Sequence, residues 1–133
     1  MRAFHCQCGG RLFFHSMSCV VCGAIAARCP HCHLVASMSM QPDGSLTCNE
    51  CDRSTRLCQN RLDYAVCNAA AHPDALLCRY CAMNRVIPDL AVDDNLEKWR
   101  LLERAKHRVL YGVDRIGLPI MTDPVCGAGP MLV

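Results

Sequence analysis

The sequence predicts a small, metal-stabilised, β-rich protein in which tandem zinc ribbons are followed by one long amphipathic α-helix and an irregular tail. Twelve of its 13 cysteines fall into six close pairs between Cys6 and Cys81. Only three Phe, three Tyr and one Trp occur among 133 residues, and units of about 30 residues rarely fold alone without a metal or disulfides. We therefore expect bound ions to supply much of the free energy of folding.

The pairwise spacing of the cysteines favours thiolate–metal sites over a disulfide framework. Taken in order, two pairs at a time, the cysteines form three sets of four. A C-x2-C turn directs two sulfurs at one point, and a second pair completes a tetrahedron around Zn²⁺. We expect three Zn²⁺ ions. The predicted ligands are Cys6, Cys8, Cys19 and Cys22 in site 1, Cys29, Cys32, Cys48 and Cys51 in site 2, and Cys58, Cys67, Cys78 and Cys81 in site 3.

The start of the chain and its charge bear on compartment and partners. The first residues lack the apolar run of a signal peptide, and no apolar stretch is long enough to cross a membrane. We expect a reducing cytoplasm and no membrane partner. The formal net charge is +2, but each zinc ion with four thiolates adds two negative charges. Net charge therefore gives no support to nucleic-acid binding.

Residues 1–28 are predicted to form the first ribbon. Strands are expected at 11–15 and 24–27, and Gly23 allows the positive-φ turn that follows the second pair of cysteines. A single residue separates the first two cysteines, which is tighter than usual for a zinc knuckle. His5 is therefore an alternative ligand to one of them.

Residues 29–57 are predicted to form the second ribbon. Side chains alternate over 34–40, which indicates a strand, and 41–45 has the composition of a turn. The result is a complete hairpin between two knuckles. His31 and His33 flank the second cysteine of this set, but because four cysteines are present we expect both histidines on the surface.

Residues 58–90 are predicted to contain the third site and a connector. The spacing is C-x8-C-x10-C-x2-C, so the first half of this site is not a knuckle and its geometry must be irregular. The stretch 69–74 is expected to be a loop or a short helical turn. An extended connector is expected at 84–90.

Residues 91–117 are predicted to form a long helix. Asp94 is the expected N-cap, with Glu97 in capping-box position, and Gly117 followed by Pro119 is expected to end the helix. Apolar residues recur at spacings of three and four, which predicts one apolar face. That face consists of Leu96, Trp99, Leu102, Ala105, Val109, Val113 and Ile116.

The apolar face of the helix and the apolar tail at 118–133 need to be covered. Either the helix, at 94–116, packs along its own ribbons, or helix and tail bind a partner protein. Cys126 in the tail has no neighbouring cysteine, so we expect it to be a free thiol.

Several stretches match a known family. They include Cys19-x2-Cys22-Gly23, Val66-Cys67-Asn68 and a longer run from Cys78 to Trp99 that contains N-R-x-I-P-D-L. On these residues the chain resembles the N-terminal zinc-ribbon region of a bacterial family of zinc-dependent metallopeptidases. The resemblance implies a bacterial protein whose cysteines bind zinc.

The chain departs from that family in two respects. The middle set of cysteines, Cys29 to Cys51, lies where the family has no knuckles, so site 2 depends on its own spacing. A zinc peptidase also needs the motif H-E-x-x-H, and His107 in the long helix has no second histidine at that spacing. We therefore expect no enzymatic activity from this chain.

Three functions are consistent with these features. The one we favour is a non-catalytic zinc-ribbon array that acts as a protein–protein interaction or adaptor module, because four-cysteine sites leave no open position for a substrate. A nucleic-acid-binding ribbon is an alternative, although base-stacking aromatics are few. A rubredoxin-like iron electron carrier is another, because a C-x2-C-G knuckle also suits an iron site. The basic residues of the helix, expected on a solvated face, are Lys98, Arg100, Arg104, Lys106, Arg108 and Arg115.

Overall fold

The computed structural model describes residues 4–120. It is small and rich in β-strands, with one long C-terminal helix, as predicted. The described residues contain no helix both long and apolar enough to cross a membrane. The elements are β1 (Phe4–His5), β2 (Arg11–Leu12), β3 (Ile25–Arg28), β4 (Val35–Met40), β5 (Leu46–Cys48), β6 (Ser54–Leu57), α1 (Gln59–Tyr64), β7 (Ala70–Ala71), a 3₁₀ turn at Cys81–Met83 and α2 (Asn95–Arg115).

The strands form two antiparallel sheets. One is the hairpin β1–β2, and the other has five strands in the order β3-β4-β5-β6-β7. The larger sheet crosses the predicted ribbon boundaries, because β3 pairs with β4, with Ala27 opposite Ala36. The predicted strand at 24–27 therefore joins the following segment, and the strand predicted at 11–15 extends only over Arg11–Leu12.

Strand β4 is buried on both faces at its first four residues. Val35 packs in a cluster with Phe4, while Ala36 packs in a second cluster with Met38. The β1–β2 hairpin reaches the same strand, since the backbone N–H of Gln7 donates to Ser37 Oγ at 3.3 Å. Alternate side chains at the start of this strand therefore face two different cores. Neither face is exposed to solvent there.

The region after β6 is more regular than predicted. Helix α1 begins directly after Cys58, where no helix was expected. The prediction of a loop or helical turn at 69–74 is wrong at Ala70–Ala71, which pairs with β6 as a fifth strand. Their small side chains allow it, because Ala71 packs in the cluster around site 3 and Ala70 in the cluster around site 2.

Helix α2 begins without the predicted capping box. Asp94 has a left-handed backbone, with φ of 69°, and its side chain makes no capping hydrogen bond. Glu97 instead pairs with Arg100, at 2.5 Å between Oε2 and Nη1. The predicted end is confirmed: Gly117 has φ of 80°, and the N–H of Leu118 donates to the carbonyl of Val113 at 3.2 Å.

Of the two alternatives for the apolar face of α2, packing along the chain's own ribbons does not hold at most positions of that face. Of the predicted apolar face, Trp99 is fully buried, but Leu102, Val109 and Ile116 are 62%, 63% and 72% exposed. Polar side chains occupy the inner face because partners from distant segments bind them, as described below. The buried residues of α2 are Trp99, Glu103, Lys106, His107 and Leu110.

Each set of cysteines contributes at least two buried members to its own apolar cluster. Site 1 is packed with Phe4, Leu12 and Phe14, and site 2 with alanines, Met38 and Leu46. Site 3 lies in a cluster that reaches Leu110 of α2. Of the predicted tail at 118–133, residues 121–133, with the predicted free thiol at Cys126, lie outside the described residues.

Candidate metal centres

The four cysteines of each predicted set lie together. Their sulfurs are all within 4.8 Å of one another in all three sites. Sulfurs from the two different pairs of a site approach to 3.6 Å in site 1 and to 3.7 and 3.8 Å in site 2. Two sulfurs at about 2.3 Å from one tetrahedral zinc ion would be about 3.8 Å apart, whereas a disulfide requires about 2.05 Å. The geometry therefore fits one tetrahedral ion per set.

The first half of site 1 accommodates its short spacing through two glycines. Gly9 adopts φ of 93°, and the N–H of Gly10 donates to Cys8 Sγ at 3.4 Å. A Cβ at Gly10 would be only 2.9 Å from Cys19 Sγ, so the second cysteine pair could not approach. His5, the alternative ligand, is exposed in β1 and outside the sulfur group.

Three knuckles end in the same backbone conformation. The residue after the second cysteine has φ of 77° at Gly23, 62° at His33 and 61° at Asp52. In each case its N–H donates to the carbonyl of the knuckle's first cysteine, at 2.8 to 3.0 Å. Sequence reasoning identified this turn only at Gly23, because His and Asp adopt positive φ much less readily than Gly.

Backbone N–H groups in the knuckles stabilise thiolates. In site 1 the N–H groups of Cys22 and Val21 lower the pKa of Cys19 to about 6. In site 2 the hydrogen bond with Cys29 contributes most, and with the N–H groups of Cys51 and Glu50 it lowers the pKa of Cys48 to about 5. A thiolate is the form that binds metal. These N–H groups therefore favour the metal-binding form of Cys19 and Cys48.

The two histidines of site 2 do not join its sulfurs. His31 Nε2 lies 3.0 Å from the carbonyl oxygen of Ser54, and the His31 backbone N–H donates to Cys29 Sγ at 3.3 Å. His33 is exposed. Both lie outside the group of atoms that could share an ion.

Site 3 is assembled from the residue before α1, the segment between α1 and β7, which carries Cys67, and one knuckle. Cys58 lies just before α1, and its sulfur accepts the N–H of Cys78 at 3.3 Å. Cys78 Sγ accepts the N–H of Cys81 at 3.4 Å. All four cysteines of this site are buried, whereas Cys8 and Cys22 of site 1 are exposed. Site 3 is therefore the most protected of the three.

Two side chains from α2 reach site 3, and sequence reasoning missed both of these contacts. Cys81 Sγ lies 3.7 Å from Glu103 Oε2 and 3.6 Å from His107 Nε2. His107 Nδ1 lies 2.6 Å from Arg28 Nη2. Arginine can only donate, so Nδ1 accepts and the proton of the neutral ring is on Nε2. Burial lowers the pKa of His107 to about 4, which keeps the ring neutral.

The group Cys81, Glu103 and His107 is therefore not a fourth metal site, although its ligand atoms lie within 4.8 Å of one another. A metal-bound imidazole nitrogen must offer a lone pair. Here Arg28 occupies the lone pair on Nδ1, and Nε2 carries the proton. The Nε2–H group instead faces Glu103 Oε2 at 3.1 Å and the Cys81 sulfur.

Glu103 is the centre of a buried hydrogen-bond network. Its Oε1 accepts from Asn84 Nδ2 at 2.8 Å, Lys106 Nζ at 2.8 Å and Trp99 Nε1 at 3.2 Å. Burial by itself would raise the pKa of Glu103, but hydrogen bonds from His107 and Lys106 lower it to about 2. Lys106 was predicted on a solvated basic face, and this prediction is wrong because its side chain is only 6% exposed.

Arg61 joins the site 3 region to the segment around site 1. It is a buried residue of α1, and its guanidinium group donates to the carbonyls of Ala26 at 2.6 Å, Asn68 at 2.9 Å and Met17 at 2.8 Å. Asn68 continues the link, because its Nδ2 donates to the carbonyl of Phe14 at 2.7 Å. No spacing pattern in the sequence distinguishes Arg61 from a surface arginine.

The buried charges match a doubly negative site 3. Among the described residues the buried charged side chains are Arg28, Arg61, Glu103 and Lys106, and their formal charges leave an excess of two positive charges. A divalent ion with four thiolates carries two negative charges. The buried region is therefore neutral when site 3 holds such an ion, and it carries an unbalanced charge when the thiols are protonated.

The fold and its sulfur sites define a class of protein: a small β-rich metalloprotein stabilised by clustered thiolates. A family model described as a zinc-ribbon domain matches residues 3–92, more than half of the chain. The chain therefore belongs to the zinc-ribbon domain family, and this supports zinc binding. The comparisons with curated proteins and with solved structures each find no match. Membership of the metallopeptidase family stays a prediction.

Proposed function

We propose that this chain is a non-catalytic, zinc-stabilised module that binds another protein through the outer side of α2. The observation that carries the proposal is the inverted packing of this helix. Its charged residues Glu103 and Lys106 are buried, while apolar residues are left in solvent. We call Leu102, Ala105, Val109 and Ile116 the outer stripe; all four are exposed.

We also propose that the chain is not an enzyme, because of how its metal sites are coordinated. Each ion would be held by four sulfurs, which leaves no coordination position for water or substrate. The described residues closest to being an additional metal site are Cys81, Glu103 and His107, and the tautomer of His107 excludes an ion there. We propose a reducing cytoplasm as the compartment, because thiolates persist there as metal ligands.

The proposed cofactor is Zn²⁺, with three ions per chain. The charge balance around site 3 supports a divalent ion, since a ferric tetrathiolate site would carry one negative charge and leave a positive excess. Native mass spectrometry of freshly purified protein is expected to show three zinc ions. Under a limiting chelator the first ion should leave site 1, which has two exposed sulfurs, and the last should leave site 3. Iron, or a single ion, would contradict this assignment.

The proposed partner is an amphipathic helix with acidic flanks. Leu102, Val109 and Ile116 are seven residues apart and share one face, as in a helix that packs against another helix. The small Ala105 between them permits close approach. Three exposed basic residues border the outer stripe on one side, so a second copy packed antiparallel would bring like charges together. These flanking residues are Arg104, Arg108 and Arg115.

The proposal is tested with two labelled helical peptides that have leucine at every a and d position. One has glutamate at e and g, the other lysine, and binding to the zinc-loaded protein is measured by fluorescence anisotropy. We expect the acidic peptide to bind and Val109→Asp to weaken it at least about tenfold, the effect of losing one central apolar contact. Val86→Asp, at a site that is 64% exposed outside the helix, is the control and should leave affinity unchanged.

Two results would overturn the proposal. Equal binding of both peptides, or of neither, would mean that the outer stripe does not select an acidic helix. Binding of an oligonucleotide with steep salt dependence, abolished by changing Arg104 and Arg115, would assign the basic flank to nucleic acid instead.

A further inference from the structure

We propose that His107 is a positioning residue for Cys81: its Nε2–H donates a hydrogen bond to the Cys81 thiolate of site 3 and so ties helix α2 to the bound ion. This hydrogen bond lies at the metal centre and does not depend on the proposed binding function. It would make metal loading at site 3 a condition for the correct placement of α2.

The ring of His107 is held in one orientation. Arg28 Nη2 lies 2.6 Å from Nδ1, and the ring of Tyr80 packs edge-on at 5.3 Å between centroids. Only 1% of His107 is exposed, so water does not compete for Nε2–H. The 3.6 Å separation between Nε2 and Cys81 Sγ is suitable for a sulfur acceptor, because sulfur is larger than oxygen.

Cys81 differs from its neighbours in its donors. Cys58 Sγ and Cys78 Sγ each accept a backbone N–H. Among the described residues, the donor to Cys81 Sγ that is not itself a cysteine is His107. Hydrogen bonds of this kind orient metal ligands, and their loss typically lowers metal affinity by about 10- to 100-fold.

The Nε2 proton of His107 also lies between two negatively charged groups, the Cys81 thiolate and the Glu103 carboxylate. Glu103 Oε2 lies 3.7 Å from Cys81 Sγ, and the other carboxylate oxygen, Oε1, accepts hydrogen bonds from Asn84, Trp99 and Lys106, as an ionised carboxylate does. Without a donor between them, the thiolate and the carboxylate would face each other directly in a buried region. Nε2–H, at 3.1 Å from Glu103 Oε2, lies against both groups and offsets this repulsion.

The test replaces zinc by ¹¹³Cd in the full chain and records its NMR spectrum, in which each tetrathiolate site gives its own resonance. The site 3 resonance is identified through its coupling to the Cys81 β-protons. We expect His107→Phe to shift this resonance alone and to accelerate the release of the last ion to a chelator by about 10- to 100-fold. His107→Gln should restore both readouts, because its amide supplies an N–H for Cys81 and a carbonyl for Arg28.

Leu110→Ala is the matched control. Leu110 is buried on the same face of α2, 6% exposed and one turn further on, and it makes no hydrogen bond to Cys81. A merely structural role of His107 predicts equal effects of Leu110→Ala and His107→Phe, and that result would overturn the proposal. So would an unshifted resonance in His107→Phe. If His107→Phe fails to load metal, full loading of His107→Gln supports the proposal, and failure of His107→Gln refutes it.

Discussion

Complete removal of metal is expected to unfold the region from residue 4 to residue 92. Each of the three clusters contains at least two of the ligating cysteines of its site among its buried members, so loss of the ions removes links within each core. Zinc binding by such sites is worth on the order of 10–16 kcal/mol each at neutral pH, which equals or exceeds the entire stability of a typical small domain. Circular dichroism and amide NMR dispersion under reducing conditions measure the loss.

Charge imbalance adds to this effect at site 3. Once its thiols are protonated, Glu103 is the one buried carboxylate among residues 4–120 that opposes the buried side chains of Arg28, Arg61 and Lys106, and unpaired charges in a protein interior are costly. Chelator already saturated with zinc is the control and should have no effect, and added Zn²⁺ should restore the fold. Native-like NMR dispersion in protein shown to be metal-free would contradict the prediction.

Arg61→Met is expected to lower the free energy of unfolding of the zinc-loaded protein by about 3–5 kcal/mol, because hydrogen bonds to a charged group contribute about 1.5–3 kcal/mol each and three are lost. The substitution leaves the carbonyls of Ala26, Asn68 and Met17 without this donor. It also removes one of the positive charges that balance site 3. Chemical denaturation at constant free zinc measures the change.

Arg53→Met is the matched control for this prediction. Arg53 is exposed, and surface substitutions usually change stability by less than about 0.5 kcal/mol. If the two variants are equally stable, the buried guanidinium group of Arg61 does not hold the site 3 region to the segment around site 1. A loss confined to metal content, with unchanged stability at saturating zinc, would also contradict the structural role.

The structure reproduces sequence predictions that depend on neighbouring residues. The cysteines of a C-x2-C knuckle converge because one tight turn places them, and the three sets of sulfurs lie together as their order suggested. Strand β4 and the turn at Gly44, with φ of 89°, follow from alternation and turn chemistry. The C-terminal end of α2 follows from Gly117.

Other features were not predictable from local pattern. Ala70–Ala71 has no periodicity of its own and becomes a strand only because β6 offers a free edge between two cysteine clusters. The knuckle turns at His33 and Asp52 use positive φ without glycine. Helix α1 carries Arg61, whose carbonyl partners include one 44 residues away in the chain.

The sequence by itself determined the metal chemistry, because ligand type and spacing are encoded within a few residues at each knuckle. Only the tertiary structure decided which side of α2 faces inward. Apolar periodicity predicts burial of Leu102 and Val109, but Glu103 and His107 are buried instead, since Asn84 and Arg28 supply partners from up to 79 residues away. A polar group can be buried once distant groups satisfy its hydrogen bonds, and spacing along one helix carries no information about them.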